Sequence, residues 1–250
     1  MAVHQIFMPT QLLFTKFLNA HFAGAVDALL DALHIHPAYP EAPINNAVAM
    51  ELLVSLVLLA YFIVVRATLN VERPGTFQHI AEIAHGFVSD QSESIIGHGY
   101  ERFISFVSVL GMFILVSNLM GLVPGLESPT ANVVVPLGCA ILTFFYYHYH
   151  GIRANGASYI KQFLGPVWWL YPLMLPIELI SHCARVLSLT VRLYANMFAG
   201  DLLTLVAFSI IPLGIPLAAL GLHLGVAVIQ AYVFMLLSMI YLSLAVAHDH

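Results

Sequence analysis

The side chains best suited to chemistry lie within residues 181–202, a polar stretch inside an otherwise apolar chain. Four of them follow one another at steps of three, four and four residues: Arg185, Ser188, Arg192 and Asn196. That spacing places them on one face of a helix. A charged side chain at the centre of a membrane helix costs roughly 2.5–3.5 kcal/mol on insertion scales, so such residues generally mark function. Because a guanidinium does not release its proton in proteins, Arg192 is predicted to act as a fixed cation.

Protonatable side chains flank Arg192 at different depths. Glu178 lies fourteen residues earlier, which on a helix is about 40° round and ~21 Å along the axis. Asp201 lies nine residues later, about 180° round and ~14 Å further on. On the next apolar segment, His223 and Gln230 are seven residues apart and share a helix face. Since carboxylates and histidines exchange protons, this arrangement predicts two offset proton paths kept apart by a cation.

The composition restricts the class of protein. Hydrophobic residues make up 60% and charged residues 8% of the 250 residues, and the mean hydropathy is +0.90. Soluble domains carry about 25% charged residues, so the chain is predicted to be an all-α polytopic membrane protein with one membrane domain over residues 1–250. The formal net charge of -5 offers nothing for nucleic acid. The two cysteines, Cys139 and Cys183, lack metal-site spacing, and no metal is predicted.

Five apolar segments are predicted to cross the membrane: residues 47–65, 103–124, 131–147, 168–209 and 213–247. Residues 1–40 mix apolar and charged side chains and are predicted to lie on the membrane surface. Basic residues follow the first and third segments, at Arg66, Arg73, Arg153 and Lys161. By the positive-inside rule these loops are cytoplasmic, so the N-terminus is predicted outside and the C-terminus in the cytoplasm.

The last two segments are longer than a perpendicular crossing requires. Residues 177–209 and 217–247 contain no helix breaker and give helices of ~50 and ~45 Å, against ~30 Å of hydrocarbon. They are predicted to tilt steeply or protrude, and to form a hairpin through residues 211–216. Aromatic residues at the end of the third segment are predicted to form an interfacial belt: Tyr146, Tyr147 and Tyr149.

A longer motif surrounds Arg192. Residues 189–201, LTVRLYANMFAGD, resemble the signature of subunit a of the F-type ATP synthase. Other segments resemble the same family in the expected order: residues 118–124, 129–132, 176–178 and 230–235. The resemblance implies a stationary, non-catalytic subunit of an ATP-synthesising complex in a bacterial-type inner (plasma) membrane. It implies no cofactor, and its partners would be the ring of c subunits and the b subunits of the peripheral stalk.

The resemblance also implies roles for the polar face of the long helix. Arg192 matches the arginine that faces the carboxylates of the c ring, and Asn196 and Gln230 match its flanking polar partners. Ser188 and Arg185 lie on the same helix face and are predicted to support Arg192. A second interpretation stays open for Arg185, since a cation near the inner interface needs no further role.

The resemblance assigns the flanking groups to two half-channels. Asp201 and His223 match the acid and its partner in the outer half-channel, and Glu178 matches the carboxylate of the cytoplasmic one. Asn118 is the polar candidate for the outer path, because this chain lacks the acid that some members carry in the following loop. His182, one turn after Glu178, either lines the inner path or packs as an ordinary buried histidine.

Two other functions are compatible with parts of the sequence. Thirteen histidines suggest a bis-histidine haem or quinone oxidoreductase of the membrane, which needs paired axial histidines on facing spans. His148 and His150 face opposite sides of a helix, which does not favour it. An independent ion or solute transporter is the second alternative, and it predicts transport by the isolated chain.

Overall fold

A computed structural model describes residues 11–32, 34, 43–70, 73–123, 125–156, 159, 171–210 and 214–247. These residues contain seven α-helices and no β-strand, which confirms the all-α prediction. The helices are α1 Leu13–Ala32, α2 Asn46–Ala67, α3 Thr76–Ile96, α4 Glu101–Met120, α5 Val134–Asn155, α6 Tyr171–Ile210 and α7 Ile215–Val246. A short 3-10 helix, Pro129–Ala131, lies between α4 and α5.

Four helices, α2, α4, α6 and α7, are long and apolar enough to cross a membrane by length and composition. They coincide with four of the five predicted segments. The remaining segment corresponds to α5, whose second half carries tyrosines, His148, His150 and Arg153, so its mean hydropathy is lower. The membrane-protein class is therefore confirmed, and the fifth crossing stays a prediction.

The two C-terminal helices are the long elements of the fold. Helix α6 has 40 residues, about 60 Å at 1.5 Å per residue, and it continues through Pro176. It begins at Tyr171, and residues 168–170 of the predicted segment lie outside the described residues. Helix α7 begins at Ile215 after Gly214, whose φ of 92° a glycine adopts without strain.

Pro216 was predicted in the turn between these helices but lies in the first turn of α7. A proline is tolerated there because the missing N–H has no partner within the helix. Residues 211–213 of the predicted turn lie outside the described residues.

Helix α7 is central to the packing and contacts α3, α4, α5 and α6. Its Ala227 and Phe234 join a buried cluster with Ile114 of α4 and with Leu193 and Met197 of α6. A small residue such as Ala227 permits close approach between helices. One face of α6 is thereby fixed against the bundle, whereas Leu187 and Val191 on its other side are exposed.

Candidate functional site

The polar face of α6 contains the cation Arg192. Arg192 is partly exposed, and its Nη2 donates a hydrogen bond to Ser188 Oγ at 3.3 Å. In the part of the chain that the structure describes, no carboxylate forms an ion pair with Arg192. Asn196 on the same helix and Gln230 on α7 are partly exposed as well. The guanidinium is therefore available to an anion that another chain supplies.

An acid and a histidine approach each other between α6 and α7. Asp201 Oδ1 lies 3.8 Å from His223 Nε2, which is ion-pair range and too long for a direct hydrogen bond. His223 is 2% exposed, and among the described residues its Nε2 has no hydrogen-bond partner. Two glycines make room for the pair. A Cβ on Gly200 would lie 2.8 Å from the His223 ring, and a Cβ on Gly121 would lie 3.2 Å from Asp201 Oδ1.

Asp201 lines a cavity of about 640 Å³ between the start of α2, the loop after α4, and α6. Glu127, Asn45, Asn46 and Asn132 line it too, so water can be held there by polar side chains. Asn46 Nδ2 donates to Glu127 Oε1 at 3.4 Å. The sequence analysis did not bring Glu127 near Asp201, since nothing in the sequence pattern signals this loop contact.

Asn118 is buried and hydrogen-bonded between helices. Its side chain is fully buried, and its Nδ2 donates to the backbone oxygen of Ala227 at 3.0 Å. Its Oδ1 accepts a hydrogen bond from Thr130 Oγ1 at 2.6 Å. These bonds join α4 to α7 and to the 3-10 helix, and Asn118 is not among the residues that line the Asp201 cavity. Its place in the outer path stays a prediction.

A second acid–histidine pair lies near the other end of α6. Glu178 Oε1 is 3.3 Å from His182 Nε2, and the His182 Nδ1 is 3.0 Å from the hydroxyl of Tyr147 on α5. A cavity of about 210 Å³ adjoins the pair, and Arg185 and Tyr159 are among its lining residues. His182 is buried, with 7% of its surface exposed, and it also contacts Glu178. The two alternatives that the sequence left open for this residue are therefore not exclusive.

The three tyrosines predicted to form an interfacial belt differ in their exposure. Tyr147 is 2% exposed, so its assignment to an interfacial belt is wrong. Tyr146 stacks on Phe106 with ring centroids 3.7 Å apart, and Tyr149 alone of the three is strongly exposed. Hydropathy could not separate these neighbours, because the face that each one occupies depends on which helices pack against α5.

Tyr159 and Arg185 complete the inner cavity. The hydroxyl of Tyr159 contacts His148 Nδ1 at 2.7 Å, and burial raises the pKa of Tyr159 to about 12. The Tyr159 hydroxyl therefore keeps its proton at neutral pH and remains a hydrogen-bond donor. The guanidinium of Arg185 lies over the ring of Tyr241, 5.2 Å from its centroid. Arg185 thus lines the inner cavity, and its support of Arg192 stays a prediction.

The sequence matches a known protein family. The family model described as "ATP synthase A chain" matches residues 48–243. The chain belongs to the ATP synthase A chain family. The match includes every residue of both acid–histidine pairs.

Relatives in this family resemble the chain over nearly its whole length. ATP synthase subunit a of Koribacter versatilis is 55% identical over 244 residues, covering 97% of this chain and 100% of the relative. The subunit a of Solibacter usitatus is 46% identical, over 93% of this chain and 99% of the relative. That of Geotalea uraniireducens is 39% identical, over 89% and 94%. The family resemblance of the sequence is thereby confirmed.

The close contact at Gly200 leads to a stability prediction. In Gly200→Ala the added methyl group would lie 2.8–3.0 Å from three atoms of His223, which is too buried to move aside. We expect the free energy of unfolding to fall by about 1–3 kcal/mol, as in other overpacked cores. The measurement is the thermal unfolding midpoint of the purified protein in detergent.

Gly225→Ala is the matched control. Gly225 lies on the same helix as His223, and a Cβ added there would have no atom within 4 Å. It should leave stability unchanged or raise it by up to about 1 kcal/mol, since alanine is the better helix former. Equal midpoints for the two variants would contradict the steric role of Gly200.

Proposed function

We propose that the chain is the stationary, non-catalytic subunit a of an F-type ATP synthase, and that it guides protons to and from the c ring. The observation that carries this proposal is an acid–histidine pair beside a polar cavity near each end of α6. Arg192 lies between the two pairs and forms no ion pair with any described residue. Family membership supports it independently. The proposed location is a bacterial-type inner (plasma) membrane, with the N-terminus outside and the C-terminus cytoplasmic.

In the outer half-path, a proton enters through the cavity lined by Glu127 and Asp201 and passes by Asp201 and His223. It then neutralises a carboxylate of a c subunit. A neutral carboxyl can face lipid because the large cost of burying its charge has been removed. The ring can therefore turn with that carboxyl exposed to hydrocarbon.

In the inner half-path, the carboxyl meets Arg192 and then Glu178 after nearly a full rotation. An opposite charge within ~4–6 Å favours the ionised carboxylate, so Arg192 promotes release of the proton. Glu178, which contacts His182, accepts it beside the inner cavity. As a permanent cation, Arg192 also prevents protons from passing directly between the half-paths. Proton flow is thereby coupled to rotation and to ATP synthesis.

The proposed partners are the c ring, the b subunits of the peripheral stalk and the rest of the synthase. The c ring is supported by Arg192, which has no carboxylate partner among the described residues, and by the exposed apolar side of α6. The b subunits rest on the family resemblance alone. For a haem enzyme, the contacting pair His148 and His182 is unsuitable, because rings with centroids 4.8 Å apart leave no room for a porphyrin between them.

One reconstitution experiment distinguishes the proposed function from that of an independent transporter. We expect vesicles containing only this chain to be impermeable to protons under an imposed gradient, since both half-paths end at a ring that is absent. Vesicles containing the chain with its c ring should conduct protons, measured by a pH-sensitive dye. Equal proton flow with and without the ring would reject the proposed function.

A further inference from the structure

The inner acid–histidine pair has a third member that the half-path described above does not use. Tyr147 of α5 is 2% exposed, and its hydroxyl oxygen lies 3.0 Å from Nδ1 of His182. The other ring nitrogen of His182, Nε2, faces Glu178 Oε1 at 3.3 Å. The histidine is therefore held between a hydroxyl and a carboxyl, one at each nitrogen.

This arrangement selects between the two neutral forms of the imidazole. In a neutral histidine one nitrogen carries the proton and the other accepts a hydrogen bond. When the Tyr147 hydroxyl donates to Nδ1, the proton of His182 lies on Nε2 and points at the Glu178 carboxylate. An ionised carboxylate can only accept hydrogen bonds. It is therefore satisfied by the Nε2–H of this tautomer and repelled by the Nε2 lone pair of the other.

We propose that Tyr147 is a positioning residue of the inner half-path, which fixes the ring orientation and tautomer of His182 so that Nε2–H is presented to Glu178. The inference rests on the proposed function. Tyr147 itself touches neither the c ring nor a transferred proton; it acts through His182.

The surroundings of His182 support a fixed ring rather than a mobile one. The His148 ring lies beside the His182 ring, with centroids 4.8 Å apart, and His148 is itself hydrogen-bonded to the Tyr159 hydroxyl. Tyr159 fits there because Gly151 has no side chain; a Cβ at that position would lie 2.5 Å from the Tyr159 ring. Titratable and charged groups face this region from three helices and the segment after α5: Glu178, Arg185, Tyr147, His148, Tyr159 and Tyr241.

The test compares Tyr147→Phe with Tyr146→Phe in vesicles that contain the complex without its catalytic sector. Tyr147→Phe keeps the buried ring and removes the hydroxyl, so passive proton flow should fall about 2- to 10-fold, the value of one hydrogen bond. Tyr146→Phe is the matched control, because Tyr146 stacks on Phe106 and loses no described hydrogen bond. Wild-type flow in Tyr147→Phe would overturn the inference.

A double-mutant comparison separates positioning from packing. In a His182→Phe background, Tyr147→Phe should cause no further loss, since the group through which it acts is gone. An equal fractional loss in both backgrounds would mean that Tyr147 serves only packing, and would overturn the inference. If Tyr147→Phe assembles poorly, Tyr147→Gln and Tyr147→Leu replace it. The glutamine amide can donate to His182 and should retain more flow than leucine, and equal flow would count against the proposal.

The same vesicles distinguish failure of this inference from failure of the proposed function. If Glu178→Gln slows proton flow and Tyr147→Phe does not, only the role of Tyr147 is lost. If neither Glu178→Gln nor Asp201→Asn alters the flow, the half-paths themselves are rejected.

Discussion

Arg192→Ala is expected to abolish ATP-driven proton pumping in vesicles that still contain an assembled complex. The guanidinium has no carboxylate partner among the described residues, so its removal leaves nothing here that favours ionisation of the c-ring carboxyl. A nearby cation favours the ionised form by about 10- to 1000-fold, and release of the proton should be reduced in that proportion. The measurement is ATP-driven acidification of the vesicle interior, with ATP hydrolysis recorded in parallel.

Arg66→Ala is the charge-matched control for this experiment. Arg66 is exposed in the last turn of α2 and lines neither of the two polar cavities, so pumping should remain at the wild-type rate. Arg192→Lys keeps a charge but loses the bidentate geometry of a guanidinium, and it should recover little. Coupled pumping at the wild-type rate in Arg192→Ala would overturn the central role of this residue.

Asp201→Asn and Glu178→Gln should each slow proton flow, but from opposite sides of the membrane. Both changes preserve the shape of the side chain and remove its ability to take up a proton. Proton transfer by a positioned side chain contributes typically ~10²–10⁴-fold, and a loss of at least about 10²-fold is expected in each variant. Because every proton that enters must also leave, dyes on both faces should record the same reduced flow in each variant. The impaired side is identified by varying the pH of each face: the flow should depend on the outer pH in Asp201→Asn and on the inner pH in Glu178→Gln.

Asp90→Asn provides the control, because Asp90 is exposed on α3 and lines neither polar cavity. It removes the same charge and should leave both faces unaffected. If the flow depended on the pH of the same face in Asp201→Asn and in Glu178→Gln, the two half-paths would have to be redrawn as one.

Much of what could be predicted follows from the regular repeat of an α-helix. Arg192 and Ser188 share a face because helix geometry is repetitive, and their hydrogen bond follows from that. Asp201 and His223 were expected near one surface because a short turn joins their helices, and they lie 3.8 Å apart. The Tyr147 contact with His182 could not be predicted in this way. It depends on how α5 packs against α6, and the two residues are 35 positions apart.

The sequence rules also misjudged positions where two effects compete. Helix α6 continues through Pro176, which the breaker-free run of residues 177–209 left out, since neighbouring packing can compensate for one lost backbone bond. The loop acid Glu127 was missed because its proximity to Asp201 arises from the fold of the loop and not from any spacing.

The separation of the two cavities along α6 has an electrical consequence for the proposed function. Glu178 and Asp201 are twenty-three residues apart, about 34 Å along the helix. Water in each cavity would carry the potential of its own side inwards, so the membrane voltage would fall mainly across the dry section around Arg192. Each 100 mV is worth about 2.3 kcal/mol per elementary charge. The electric field would then be strongest where the ring carboxyl passes the arginine, and the voltage would act directly on rotation.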